Sequence, residues 1–338
     1  MITHAGKRTL TLENRPYLLS HAAAVGKKEG EGPLGSRFDF VTRNDRMGQK
    51  SWELAESELQ RTAIDLALRK GSLRHCDLDL ILAGDLLNQC IGSFLASMHS
   101  DVPYLGQYGA CSTMAQGLAL GGVLVEAGTA ARLAVSASSH FCSAERQYRF
   151  PLAYGGQRTP TAQWTATAAG AAVLGAEGGS SVRMTHVLFG KMIELGVKDA
   201  NNMGAAMAPA ACDTLSCLLR ELGAQPTDFD CIVTGDLGRV GADLLLTLLR
   251  EDGIDLSPVY SDCGILLFGD TQDAHAGGSG CGCSAAVLCG PLLRDMHEGK
   301  IRRMIFAGTG AMMSPTSVQQ SQPIAGICHA AVLERSGA

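Results

Sequence analysis

The stretch QYGACSTMAQGLAL, residues 107–120, sets a lone cysteine after two small residues and ahead of a long run of small and apolar ones. The pattern predicts a short strand over VPYLGQYG, a sharp turn, and a buried helix opening at Cys111 or Ser112 and ending near Gly128. A thiol at a helix N-terminus meets the positive end of the macrodipole and unpaired N–H groups. Both favour thiolate, so the expected pKa of Cys111 lies below the free-thiol value of about 8.5. A thiol activated in this way performs acyl transfer. The same residues also fit a packed, inert thiol, and the local pattern leaves both readings open.

Such a residue needs elements to hold it, and the chain supplies them twice. DLDLILAGDL (77–86) matches DFDCIVTGDL (228–237) at six of ten positions. Both are apolar runs closing on a turn, which predicts two buried strands. Each comes after an amphipathic stretch of helical spacing, 51–71 and 212–223. GACSTMAQGLALGGVLVEAG (109–128) has the same length as GCGCSAAVLCGPLLRDMHEG (280–299), and a strand pattern succeeds each, at 131–138 and 302–310. Two echoes in the same order point to a duplicated α/β unit. Gly117, Gly121 and Gly122 are expected to let the two central helices approach each other. Asp85 and Asp236 close the repeated strands, where α/β proteins place ligands. They read either as caps for the next helix in each half or, with Asn88, as hard-oxygen ligands should calcium accompany an anion.

The bulk properties set limits. With 338 residues, 46% of them apolar and 18% charged, the chain builds one large or two modest cores. A net charge of -5 and the lack of a Lys/Arg block give no reason to expect nucleic acid as a partner. The 12 cysteines are irregularly spaced, and the Cys281-x-Cys283 pair is a weak metal signal. They read as buried thiols in a reducing compartment, with no metal or cofactor implied. The opening residues lack the apolar core of a signal peptide. The small-apolar stretch 115–137 is broken by Glu126 and Arg132, so no spanning helix is expected and a membrane location would come through a partner.

The segment VPYLGQYGACSTMAQGLALGGVLVEAGTAARLAVSASSH resembles the nucleophile region of the thiolase and ketoacyl-synthase superfamily. TATAAGAAVLGAE (165–177), AGGSGCGCSAAVL (276–288) and AGICHAAVLE (325–334) are similar to that superfamily's half-closing strand, glycine-rich turn and terminal segment. The resemblance implies an α/β, duplicated, five-layered αβαβα fold, with halves at 1–180 and 181–338 in one compact unit. A closer likeness is carried by GPLGSRFD, LAGDLLNQ, YGACST, SSHFCSAERQYRFPLAYGGQ, MGAAMAPAACDT and HAGGSGCGCSA, in order along the chain. These resemble the stage V sporulation protein AD family. That family's implied role is to bind dipicolinic acid (pyridine-2,6-dicarboxylate), or its calcium chelate, and to support its uptake into the forespore. It acts there with other stage V sporulation membrane proteins, peripherally at the spore inner membrane, and a homodimer is implied by the superfamily.

Condensing chemistry needs an oxyanion hole and an acid or base besides the thiolate. The superfamily's second-half imidazole is expected after the strand ending TGDLGRVG, where Asp236, Leu237 and Gly238 stand instead. Its second polar group is expected in the turn that here reads Gly278, Ser279 and Gly280. By resemblance Cys328 matches a terminal proton-shuttling cysteine, with His329 beside it, and His275 flanks the turn. The catalytic set is therefore expected to be incomplete, with Cys111 a vestigial nucleophile. A dicarboxylate calls for cationic forks and apolar walls, which makes Arg146 and Arg149, among Tyr148, Phe150 and Tyr154, the candidate anion ligands. Arg158 lies further along the same loop. The expected pocket comprises Cys111, Arg146, Arg149, His275, Gly278, Ser279, Cys328 and His329. Two other readings compete: an active acyltransferase using Cys111 and coenzyme A thioesters, and a structural subunit docked on a membrane channel.

Overall fold

The computed structural model describes residues 1–148 and 158–336. Ten strands carry the architecture. Five lie in the first half: β1 (Tyr17–Val25), β2 (Leu80–Gly84), β3 (Tyr104–Gly106), β4 (Arg132–Ser139) and β5 (Ala168–Gly175). Five lie in the second: β6 (Val182–Leu188), β7 (Cys231–Thr234), β8 (Tyr260–Asp262), β9 (Arg303–Met312) and β10 (Ala325–Arg335).

Their hydrogen-bonded order is β8-β7-β9-β10-β6-β1-β5-β4-β2-β3. The halves meet where Arg183 pairs with Tyr17. Outward from that junction, each half makes two antiparallel and then two parallel pairings. The repeated sequences 77–86 and 228–237 thus build equivalent strands, β2 and β7. Strand β5, AAGAAVLG, is buried at every position, as a strand covered on both faces must be.

Helix α1 (Trp52–Lys70) starts where the Ser51 side chain accepts from the Leu54 N–H. Helix α2 spans Ile91–Ser97, α3 spans Thr113–Glu126 and α4 spans Phe141–Tyr148. In the second half α5 covers Met203–Leu222, α6 covers Gly238–Glu251 and α7 covers Cys281–Val287. Helix α5 begins well before the stretch at 212–223 that periodicity marks, and Pro209 lies inside it. Its first half, MGAAMAPAA, is too uniformly small and apolar to show a polar stripe.

Helices α3 and α7 are neighbours, with the Ser284 hydroxyl donating to the Cys111 carbonyl at 3.4 Å. The glycines of α3 serve another contact than expected. A Cβ at Gly117 would meet Val135, at Gly121 Leu133 and Leu174, and at Gly122 Met184. They let α3 lie close on the strands rather than on its partner helix. No helix among the described residues is long and apolar enough to cross a membrane.

Candidate functional site

Cys111 sits in a 3-10 turn, Ala110–Ser112, just ahead of α3. The chain reaches it through Ala110, whose φ of +49° is left-handed, a conformation costing a non-glycine residue roughly 1–2 kcal/mol. This sharp turn sets Cys111 on the wall of a small pocket. Ser279 faces it from the second half, and Ala144, Glu145 and Tyr148 of α4 close another side. Met203 at the start of α5 and Met313 after β9 add apolar wall.

The electrostatics of the thiol reverse the expectation. Cys111 is only 4% exposed. Burial raises its pKa well above the ordinary range, and the Asp236 carboxylate beside it raises it further. The Gly280 N–H and the Ser279 hydroxyl favour thiolate and are outweighed. The helix-terminus argument fails here because the thiol is fully desolvated and a buried negative charge stands against it.

Asp236 is fully buried at the end of β7. Its carboxylate accepts from the Gly280 N–H at 2.8 Å, the Thr309 hydroxyl at 3.0 Å and the Ser279 hydroxyl at 3.2 Å. Burial still raises its own pKa. The sequence marks Asp236 as standing where an imidazole belongs. It does not reveal that the side chain reaches the thiol, because that contact depends on the glycine turn at 278–280 folding over β7.

The acid on the pocket wall itself is Glu145, 4% exposed and accepting from the Thr165 hydroxyl at 2.9 Å. Nothing in the local sequence sets it apart from the arginines beyond it. Helix α4 is held from behind by α1, whose Glu56 accepts from the Ser143 hydroxyl at 2.6 Å. The Tyr148 hydroxyl donates to the Leu86 carbonyl at 2.5 Å.

The residues named from sequence part company. Cys111 and Ser279 share the pocket, and Gly278 lies directly behind Ser279 on a strand pair with Trp164–Thr165. Arg146 does not join them. It is half-exposed and pairs with Glu53 of α1. It lies on the outer side of α4, because its neighbour Glu145 takes the inner one. His275 bonds the Thr159 carbonyl at 2.8 Å and Asp273 at 3.0 Å. Cys328 packs in the apolar cluster under α5, where burial raises its thiol to about 12. His329 accepts from the Gly190 N–H at 3.1 Å, and burial lowers it to about 4. Arg149, Phe150 and Tyr154 lie outside the described residues. Among the described residues, the pocket wall includes no histidine, lysine or arginine. No cluster of metal-ligating side chains occurs among them either. Asp85 and Asn88 do not converge: Asp85 turns to the Leu87 and Ser93 N–H groups, and the Asn88 N–H meets Gln147.

A deep thiol at a strand–turn–helix junction, walled by both halves of a repeated mixed sheet, fits the fold that the sequence resemblance implies. Solved structures agree on the fold. The 3-oxoacyl-[acyl-carrier-protein] synthase III of Aquifex aeolicus superposes with a TM-score of 0.56 at 14% identity, covering 94% of this chain and 99% of that one. The cerulenin-bound OleA of Xanthomonas campestris gives 0.57 at 15% identity, covering 95% and 96%. The sequence relationship is narrower. The family model for stage V sporulation protein AD matches residues 6–334. The stage V sporulation protein AD of Bacillus subtilis strain 168 is 42% identical over 332 residues, 98% of each chain. This chain belongs to the stage V sporulation protein AD family.

Proposed function

We propose that this protein binds dipicolinic acid and supports its uptake into the developing spore, and that it does so without catalysing a reaction. The observation that carries the reading is the near full-length match to its sporulation relative. The site supports the non-catalytic part. A thiol held protonated beside a buried carboxylate is a poor nucleophile, and no imidazole stands in the pocket wall among the described residues.

Finer features belong to the same reading. The matched strand orders support two halves, 1–180 and 181–338, stacked as a duplicated five-layered αβαβα fold. Cys111, Gly278 and Ser279 remain the proposed pocket residues. The buried Asp236 carboxylate behind the thiol disfavours a bare dianion, so the pocket takes the ligand in a charge-compensated form, as the calcium chelate or the protonated acid. Strand β3 ends the sheet with its outer edge unpaired among the described residues, and Leu105, Phe94 and Met98 near it are 47%, 40% and 57% exposed. An apolar sheet edge of this kind fits a second copy of the chain. The protein works peripherally at the spore inner membrane, held by other stage V sporulation proteins.

Calorimetric titration with dipicolinate, with and without calcium, tests the reading. Saturable binding is expected. A folded wild-type protein that releases no binding heat in either condition overturns it. Steady release of coenzyme A from acyl thioesters, lost in Cys111→Ala, overturns the non-catalytic part.

A further inference from the structure

Among the described residues, the wall of the Cys111 pocket carries three hydroxyls, and each directs its proton to an acceptor of the protein. Ser279 donates to Asp236 at 3.2 Å and Thr165 to Glu145 at 2.9 Å. Tyr148 donates to the Leu86 carbonyl at 2.5 Å. A hydroxyl has one proton to give, so these three offer a ligand lone pairs and no free donor. Recognition by this part of the wall therefore falls to its apolar surface.

That surface is uneven. Ala110, Ala144 and Ala311 are small and leave room. The long side chains come from opposite halves. The first half brings Tyr148 at the end of α4, pinned at its phenol end by Leu86 and by the Tyr108 hydroxyl at 3.3 Å. The second half brings Met203, which opens α5, and Met313, just past β9. Both methionines pack on the apolar cluster of the second half and are half-buried where they border the pocket. A fixed phenol ring offers a flat face to another ring. Thioethers are unbranched and polarizable, and they adapt to an aromatic surface.

We propose that Tyr148, Met203 and Met313 are the specificity-determining residues of this pocket, forming a slot between the halves that selects a ligand for its flat aromatic ring. The proposal rests on dipicolinate being the ligand of the Cys111 pocket, and it adds what the wall reads. The pyridine ring lies between the Tyr148 phenol and the two thioethers. An aliphatic dicarboxylate finds no stacking partner there. It also loses the freedom of its rotatable chain on binding, which a rigid ring does not. Discrimination thus comes from shape and polarizability, while charge is compensated on the ligand itself.

Calorimetry with dipicolinate, and competition by pentanedioate, tests the slot. Pentanedioate sets two carboxylates at the same chain spacing without a ring. The wild type is expected to prefer dipicolinate by at least about ten-fold. Met203→Ala and Met313→Ala should each weaken dipicolinate about three- to ten-fold and leave pentanedioate unchanged. Tyr148→Leu should act the same way, by about two- to ten-fold. Met203→Leu and Met313→Leu keep the apolar wall and should hold dipicolinate within about two-fold of wild type. Circular dichroism melts confirm that each variant folds. A folded Met203→Ala/Met313→Ala variant that binds dipicolinate like the wild type overturns the slot and leaves the dipicolinate reading standing. Equal losses for both ligands overturn it too, because the methionines then serve packing alone. Absence of dipicolinate binding in the wild type overturns that reading itself, and the slot with it.

Discussion

Asp85 and Asp236 occupy the same place in the two halves, each just past a repeated strand, yet they do different work. Each carboxylate accepts three hydrogen bonds. Those of Asp85 come from the Leu87 N–H, the Ser93 N–H and the Ser93 hydroxyl, all within its own half. Those of Asp236 come from the adjacent Ser279 and Gly280 and from Thr309, two separate segments of the second half. The neighbours differ more. Beside Asp85 lies another buried acid, Glu56, which burial and the Asp85 charge drive well above the usual carboxylate range. Beside Asp236 lies the thiol of the opposite half. One copy of the motif braces a loop. The other reaches across to the Cys111 thiol and favours its protonated form. The two matched positions share a geometry and differ in their chemistry.

That contrast predicts unequal costs from equal substitutions. Asp236→Ala leaves a buried N–H and two hydroxyls without their acceptor and should cost about 3 kcal/mol or more. Asp85→Ala loses as many bonds but relieves the crowding with Glu56, so it should cost less. Urea unfolding of both variants measures the difference. Equal losses would mean that the Glu56 neighbour is energetically silent.

The halves also share a response to acid. His21 of β1 is lowered to about 4, chiefly by burial and then by Lys70. His329 of β10 is likewise lowered to about 4 by burial. In the unfolded chain both titrate near 6.5, so the unfolded state binds more protons between about pH 6.5 and 4. Their contribution to stability is therefore fully present above about pH 6.5 and falls as the pH drops through that window, against the opposite contribution of the buried Asp262, which is raised to about 6. Each histidine contributes a loss of about 3 kcal/mol by about pH 4. Thermal melts across this acid range should show the slope, and it should lessen in His21→Gln and again in His329→Gln. A slope that is the same in both variants as in the wild type would place both imidazoles in solvent.

The thiol gives the next measurable contrast. Cys76 is exposed and Cys111 is buried. Iodoacetamide at mildly alkaline pH, mapped by mass spectrometry, should label Cys76 at least about ten-fold faster. Asp236→Asn removes the adjacent charge, so the Cys111 pKa should fall and its labelling should accelerate. Labelling of Cys111 as fast as Cys76 in the wild type would restore the activated-thiol reading.

Much of this is legible in the sequence because it rests on periodicity and on exact repetition. The paired strands at 80–84 and 231–234 and the helix after Cys111 both come from apolar runs bounded by glycine and aspartate. The features that stay hidden depend on which way a side chain turns. A helix-terminal thiol reads as activated until the carboxylate from the opposite half is seen against it. The run FCSAERQY of α4 sets an acid directly beside a base, and only the packing of α4 on α1 decides which of them faces the pocket.

Arg146 makes the smallest test of that point. Its residue type and loop suit a ligand site, and the structure turns it to Glu53 on the outer surface. Its side chain is 52% exposed and that of Glu53 is 22% exposed. An ion pair this open to water is worth about 0.5 kcal/mol, less in salt. Arg146→Ala should therefore lower the melting temperature only slightly and leave dipicolinate affinity within about two-fold of wild type. An affinity loss of about ten-fold in Arg146→Ala would instead place the anion on the α4 side of the pocket.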